Sequence, residues 1–215
     1  LMTRTPDFDA LYRSDADPFA VGSSWYEQRK IAVVLASLAR QEYALAWDAA
    51  AGTGHLALDL SARCRRVVAT DASAVAVAAL SEQATEEGSE GAVDDYPERA
   101  WVPGTGRLTV RQSALPALPA EAQAADLVIA SEVLYYLPAP ARAATVQMLS
   151  GLDAEIVTVH WRHHPGDAYL SGEDCTREVD VALTAAGFLR AVQHEDRDFV
   201  LSTHLPASTP PRELP

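Results

Sequence analysis

Residues 43–63 read as a strand that runs straight into a glycine loop and then a helix. Tyr43 to Ala49 is an apolar run broken only by Asp48, Ala50-Ala51-Gly52-Thr53-Gly54 follows at once, and Leu56 to Arg63 has helical spacing. Glycines at such a junction let the backbone approach a ligand closely over the start of the helix, which suits nucleotides and nucleosides alike. The next strand, Arg66 to Thr70, is followed by Asp71, 17 residues after Gly54. A carboxylate there can accept both hydroxyls of a ribose. The competing reading is structural, with Gly52 and Gly54 making a tight turn and Asp71 capping a helix that begins near Ser73.

The same alternation continues along the chain. A helix is expected over Ser73 to Thr85, strands over Leu108 to Arg111 and Leu127 to Ser131, a helix within Pro140 to Leu149, and a strand over Ile156 to His160. Upstream, Ile31, Val34, Leu35 and Leu38 give Glu27 to Leu38 one apolar face, while Asp17-Pro18-Phe19 breaks any helix within the polar and aromatic residues 1–26. Downstream, Asp174 to Ala186 is a helix closed by Gly187. Leu189 to His194 and Phe199 to Leu205 form a hairpin around Glu195-Asp196-Arg197-Asp198. The fold class is therefore α/β, a doubly wound sheet that is mostly parallel and ends in a hairpin. Residues 1–206 read as a single domain with an N-terminal cap over 1–40, a lid or insertion at Glu86 to Gly106, and a disordered tail at Ala207 to Pro215.

Charge narrows the partner. With 17 Lys+Arg against 30 Asp+Glu the net charge is −13, and no basic stripe is visible, which argues against nucleic acid. Cys64 and Cys175 lack a C-x-x-C spacing, so neither a thiolate zinc site nor a dithiol motif is expected. His160, His163 and His164 have no carboxylate at a metal-motif spacing, and no metal is expected. There is no signal-like apolar stretch and no run of about 18 apolar residues, so the expected location is the cytoplasm, away from membranes.

Several stretches together resemble one family. They are Asp17-Pro18-Phe19, Tyr26-Glu27-Gln28-Arg29-Lys30, Asp48 to Gly54, Asp71, the run from Asp126 through Ser131-Glu132-Val133-Leu134-Tyr135-Tyr136-Leu137, and Val159-His160-Trp161-Arg162. In these the chain resembles the class I S-adenosylmethionine-dependent methyltransferases, and within them the nodulation protein S group of N-methyltransferases. The resemblance implies a seven-stranded sheet with one antiparallel strand and S-adenosylmethionine as cofactor. It also implies a set of roles. Gly52 and Gly54 would pass the methionine part, Asp71 would hold the ribose, and Asp48 would act on the methionine amine. Ser131 and Glu132 would meet both cofactor and substrate. Tyr26 and Arg29 would close the site, Arg29 gripping the methionine carboxylate. The chain departs from the family at Ala50, where a first glycine is usual, and at Ser113, where an acid usually holds the adenine amine.

Methyl transfer from a sulfonium is an in-line displacement, so the protein mainly aligns the reactants and excludes water. An amine acceptor must be neutral, and Glu132 and His160 are the candidate proton acceptors; Tyr136 and Arg162 complete the catalytic candidates. The plainer readings are that Glu132 caps a helix or pairs with an arginine, and that His160 is structural. Tyr12, Trp25, Tyr135, Tyr136 and Trp161 could wall a cationic group, with His163 beside them, or could simply pack in the core. The expected function is small-molecule N-methylation of an amine, such as an amino sugar or an amino-acid-derived intermediate. Two alternatives stand beside it. In the first, motivated by Ala50 and Ser113, Asp48, Glu132, His160 and Arg162 catalyse a ring closure without S-adenosylmethionine, Arg162 gripping an anionic leaving group such as sulfate. In the second, the chain is a non-catalytic partner subunit. The sequence leaves open whether it acts alone, as a homo-oligomer or with a partner protein.

Overall fold

A computed structural model describes residues 5–86 and 106–208. The lid or insertion expected at Glu86 to Gly106 and the tail expected at Ala207 to Pro215 lie almost wholly outside the described residues. The elements in chain order are α1 (Phe8–Ser14), α2 (Trp25–Ser37), β1 (Tyr43–Asp48), α3 (His55–Ser61), β2 (Cys64–Asp71), α4 (Ala74–Glu86), β3 (Arg107–Gln112), β4 (Leu127–Ser131), α5 (Ala139–Ser150), β5 (Glu155–Trp161), α6 (Gly172–Ala185), β6 (Leu189–Glu195) and β7 (Phe199–Leu205). The expected strands and helices are present within a few residues of their expected ends. Only α1 was unforeseen.

The strands form one seven-stranded sheet in the order β3-β2-β1-β4-β5-β7-β6. All run parallel except β7, which is antiparallel to both β5 and β6. Chain direction along the sheet reverses between β1 and β4, and open α/β sheets bind ligands in the crevice outside the strand carboxyl ends at such a switch. The two faces are apolar in alternation. On β4, Leu127 and Ile129 join a core with Ile31, Val34, Leu60, Leu80 and Phe199, while Val128 and Ala130 join the opposite core with Trp47, Leu149, Val179 and Leu183. Both cysteines are buried free thiols, and burial pushes each up to about 12.

Local chemistry fixes the helix ends that matter for the site. Asp7 caps α1 by accepting from the Ala10 amide at 3.0 Å, and Asp9 and Arg13 occupy its first and last turns with the charge signs that suit the helix dipole. Ser73, rather than Asp71, caps α4, its hydroxyl oxygen accepting from the Ala76 amide at 3.2 Å. Asp196 shapes the β6–β7 turn by accepting from the Asp198 and Phe199 amides. Among the described residues no helix is long and apolar enough to cross a membrane.

The buried Arg142 on α5 ties down Leu134–Tyr136, a short 3-10 segment that follows β4. It donates to the Leu137 carbonyl at 2.7 Å and holds Glu178 of α6 through two hydrogen bonds of 3.0 and 2.9 Å. Arg142→Met is expected to cost about 2 kcal/mol, since a carbonyl and a carboxylate lose a charged donor, and urea unfolding measures it.

Candidate active site

The glycine loop takes its shape from backbone conformations that side chains resist. Gly52 has φ of +52° and Gly54 of +82°. The loop is pinned by the Ala51 amide donating to the Thr70 carbonyl at 2.9 Å and the Gly54 amide donating to the Ala51 carbonyl at 2.8 Å. Among the described non-glycine residues only Ala20 and Glu132 have positive φ, so Ala50 sits in a conformation that demands no glycine. Asp71, at the end of β2, accepts from the Gly52 amide at 2.9 Å and the Ser73 amide at 2.8 Å. Each carboxylate oxygen keeps a lone pair for a further donor. Burial raises its pKa from the ordinary aspartate value.

At the carboxyl ends of β1, β2 and β4 lies a cavity of about 410 Å³, in the size range of small-molecule sites. Asp48, Ala50, Gly52, Asp71 and Ser113 line it, and so do Ser131, Glu132, Tyr135 and Tyr136. The unforeseen α1 forms its roof. Asp9 accepts from the Ser73 hydroxyl at 2.6 Å, the Phe8 ring meets Tyr136 edge-on at 5.4 Å, and a Cβ on Gly52 would lie 2.7 Å from the Tyr12 hydroxyl.

Two features inside the cavity are unusual for a protein interior. Asp48 is 1% exposed and neither carboxylate oxygen has a hydrogen-bond partner. Burial, reinforced by the neighbouring Asp71, pushes its pKa up to about 7. Glu132 is held at φ of +53°, a strained setting for its residue type. One of its oxygens accepts from the Tyr26 hydroxyl and the other lies 3.2 Å from Lys30 Nζ. Lys30 in turn lies 2.7 Å from Glu27 Oε2. Burial raises the pKa of Glu27, and burial with the adjoining Glu132 carboxylate raises that of Tyr26.

Other expected site residues are placed elsewhere. His160 is fully buried among Thr176 Oγ1, 2.9 Å from Nδ1, and Cys175 Sγ, 3.5 Å from Nε2; burial holds it neutral with a pKa of about 3. Strand alternation turns it toward α6, so the plainer structural reading applies to it. Arg162 is tied to Glu173, to Glu195 at 2.8 Å and to the Asp196 carbonyl at 2.7 Å, outside the cavity lining. The ring-closing alternative thereby loses its grip on a leaving anion. Arg29 pairs with Asp196 and Asp198 and lies 5.0 Å over the Phe199 ring, bracing the hairpin turn. Trp25 is 74% exposed, and neither it, Trp161 nor His163 lines the cavity. Trp161 and His163 pair with each other edge-on at 5.0 Å. Gly54 and Tyr26 also lie outside the lining, Gly54 against Leu80 and Tyr26 donating its hydroxyl to Glu132. Among the described residues no group of three His, Cys, Asp or Glu side chains could hold a metal ion.

Glu27 and Lys30 were not foreseen, although their signal is present. They share the i, i+3, i+4, i+7 face of α2 with Ile31 and Val34, so the core-facing stripe itself carries an ion pair.

The cavity suits a nucleoside carrying an amino group. Asp71 has acceptor capacity for hydroxyls, Gly52 permits close backbone approach, and Asp48 is an orphaned carboxylate awaiting a donor. Comparison with known proteins agrees. A family model described as a methyltransferase domain matches residues 47–146. No curated protein matches the chain. Among solved structures, the N-methyltransferase NodS from Bradyrhizobium japonicum WM9 in complex with S-adenosyl-L-homocysteine superposes with a TM-score of 0.67 at 17% identity, over 93% of this chain and 97% of that one. A SAM-dependent methyltransferase from Aquifex aeolicus gives 0.64 at 17% identity, over 93% and 98%. Magnesium protoporphyrin IX methyltransferase from Synechocystis PCC 6803 with bound SAM gives 0.60 at 21% identity, over 84% and 79%. At these identities the structural likeness is one of fold, and the sequence match marks residues 47–146 as similar to a methyltransferase domain. That match runs from the end of β1 through most of α5, and the cavity lies at the strand ends where its motifs converge, so the chain carries a stretch similar to a methyltransferase domain on the fold of the S-adenosylmethionine-dependent methyltransferases.

Proposed function

We propose that this protein is a cytoplasmic N-methyltransferase of a biosynthetic pathway, acting on a small-molecule amine in the manner of the nodulation protein S group. The observation that carries the reading is Glu132, a strained carboxylate at the end of β4 that lines the cavity and is gripped on both oxygens. S-Adenosylmethionine, when bound, supplies an electrophilic methyl group on a sulfonium. Asp71 would hold its ribose hydroxyls, Asp48 its amino group, and Ser113 and Ser131 would add single hydroxyls along the lining. The roof made by Phe8, Tyr12 and Tyr136 excludes water. Glu132 would orient the acceptor amine and take its proton, and Tyr26 and Lys30 fix the carboxylate for that task.

The test is transfer of a labelled methyl group to a panel of amines, with product identified by mass. Glu132→Gln keeps the shape and removes the proton acceptor, so kcat/KM is expected to fall by about a hundredfold. Transfer that is unaffected by the substitution would contradict the role given to Glu132. Product formed from an amine in the complete absence of S-adenosylmethionine would contradict the function itself.

A further inference from the structure

The cavity changes character at its β4 end. Past Glu132 the chain contributes Val133, Tyr135, Tyr136, Leu137 and Pro138 to the lining, and Phe8 of α1 stands against them. Residues 133–138 carry no charged side chain. The aromatic members pack edge-on in a row, Tyr135 to Tyr136 at 4.7 Å and Tyr136 to Phe8 at 5.4 Å between ring centroids. This wall is anchored from behind. Tyr135 is 2% exposed, its carbonyl accepts from the Tyr169 amide at 2.9 Å, and the Leu137 carbonyl accepts from Arg142 at 2.7 Å. A pre-formed apolar wall gains affinity with the carbon surface it covers, and aromatic side chains take a further ring edge-on or offset. A hydroxyl enclosed against such a wall loses water without gaining a partner. The Glu132 carboxylate, where the wall begins, is the group placed to meet a nitrogen.

We propose that the acceptor is an arylalkylamine, its amino group at Glu132 and its ring against Phe8, Tyr135 and Tyr136, and that amino sugars are poor acceptors. The inference rests on the methyl-transfer reading above and names the substrate class for it. Glu132 fixes one end of the acceptor through an N–H, and the rings fix the other through shape and apolar contact, so the two together set the direction of the nitrogen. An amino sugar of similar size satisfies the first contact and not the second, since it carries a hydroxyl on nearly every carbon that would face the rings. The preference lies in the skeleton, because both classes present a primary amine. Phe8 and Tyr136 are thereby specificity-determining residues.

The test is a competition for a labelled methyl group. The unsubstituted protein receives S-adenosylmethionine together with phenethylamine or tryptamine and an equal concentration of glucosamine or galactosamine, and mass spectrometry measures the two products. The arylalkylamine product is expected to exceed the amino-sugar product by at least about a hundredfold, since each hydroxyl left without a partner costs about tenfold. Phe8→Ala and Tyr136→Ala are each expected to shrink that ratio by about tenfold, by raising KM for the arylalkylamine alone, so either serves if the other does not fold. Tyr136→Phe keeps the ring and is expected to keep the ratio. A purely structural role would lower transfer to both classes together and leave the ratio where it was in the alanine variants. Amino-sugar product equal to or above the arylalkylamine product, or a ratio unmoved in both alanine variants, would overturn the assigned substrate class and leave methyl transfer standing. No methylated product from either class, with S-adenosylmethionine shown to bind by calorimetry, would overturn the methyl-transfer reading and this inference with it.

Discussion

Asp48→Asn is expected to make the free protein more stable and to weaken its hold on the cofactor. The carboxylate is buried without a partner, and its pKa is pushed up to about 7 from an ordinary 3.8. The sign follows from linkage. Below about pH 4 the group is protonated in folded and unfolded chains alike and costs nothing. Between about pH 4 and pH 7 the unfolded chain releases the proton that the folded chain retains, so stability falls as pH rises, and above about pH 7 the full penalty is present. That penalty reaches about 4 kcal/mol, at 1.36 kcal/mol for each tenfold change in proton affinity, and asparagine removes most of it. A rise in Tm of about 5–10 °C at pH 8, shrinking toward zero at pH 4, is the expected result of paired thermal melts. The same substitution removes the acceptor proposed for the cofactor's amino group. Affinity for S-adenosylhomocysteine is expected to drop between about tenfold and about a hundredfold. In the unsubstituted protein that affinity should strengthen as pH rises through about 7, and in the variant this dependence should vanish. A gain in stability coupled to a loss of binding marks a residue kept for function.

Gly54→Ala is expected to act in the opposite sense, through packing and backbone together. A Cβ at this position would lie 2.1 Å from Leu80 Cδ1 and 2.8 Å from Leu80 Cδ2, and the residue has φ of +82°. Leu80, on α4, is buried in the core with Leu56, Leu60 and Val67, so it has little room to yield. Strain of about 1–3 kcal/mol adds to overpacking of similar size, and a loss of about 3–5 kcal/mol is expected in urea unfolding. The damage would spread to the cavity, because the Gly54 amide closes the loop on the Ala51 carbonyl.

These two residues show how far the sequence could be read. Gly54 and Asp48 stood out because the strand, glycine loop and helix form one continuous local pattern, and Asp71 follows at a readable spacing. The reversed β7 was legible from the charged turn Glu195 to Asp198. The rest depended on which way a side chain turns and on what packs across from it. His160 lies near the end of β5 and Arg162 just after it, yet alternation along the strand and the salt bridges at the hairpin carry them away from the cavity. Arg29 is drawn to Asp196 and Asp198, partners nearly 170 positions away that no local pattern announces. α1 has a cap and suitable end charges, but its seven residues bury none of their number fully, so it shows no core stripe. Glu27 and Lys30 were legible in principle, since two charges on a core-facing helix stripe contradict the pattern around them.

The central claim is that the cavity over the strand ends binds S-adenosylmethionine by means of Asp71 and Asp48. A crystal structure of the protein soaked with S-adenosylhomocysteine at millimolar concentration tests it most directly. The expected density places the ribose hydroxyls within hydrogen-bonding distance of Asp71 and the amino group against Asp48, with the backbone at Gly52 alongside. A nucleoside bound away from both carboxylates, or no nucleoside at that concentration, would contradict the account.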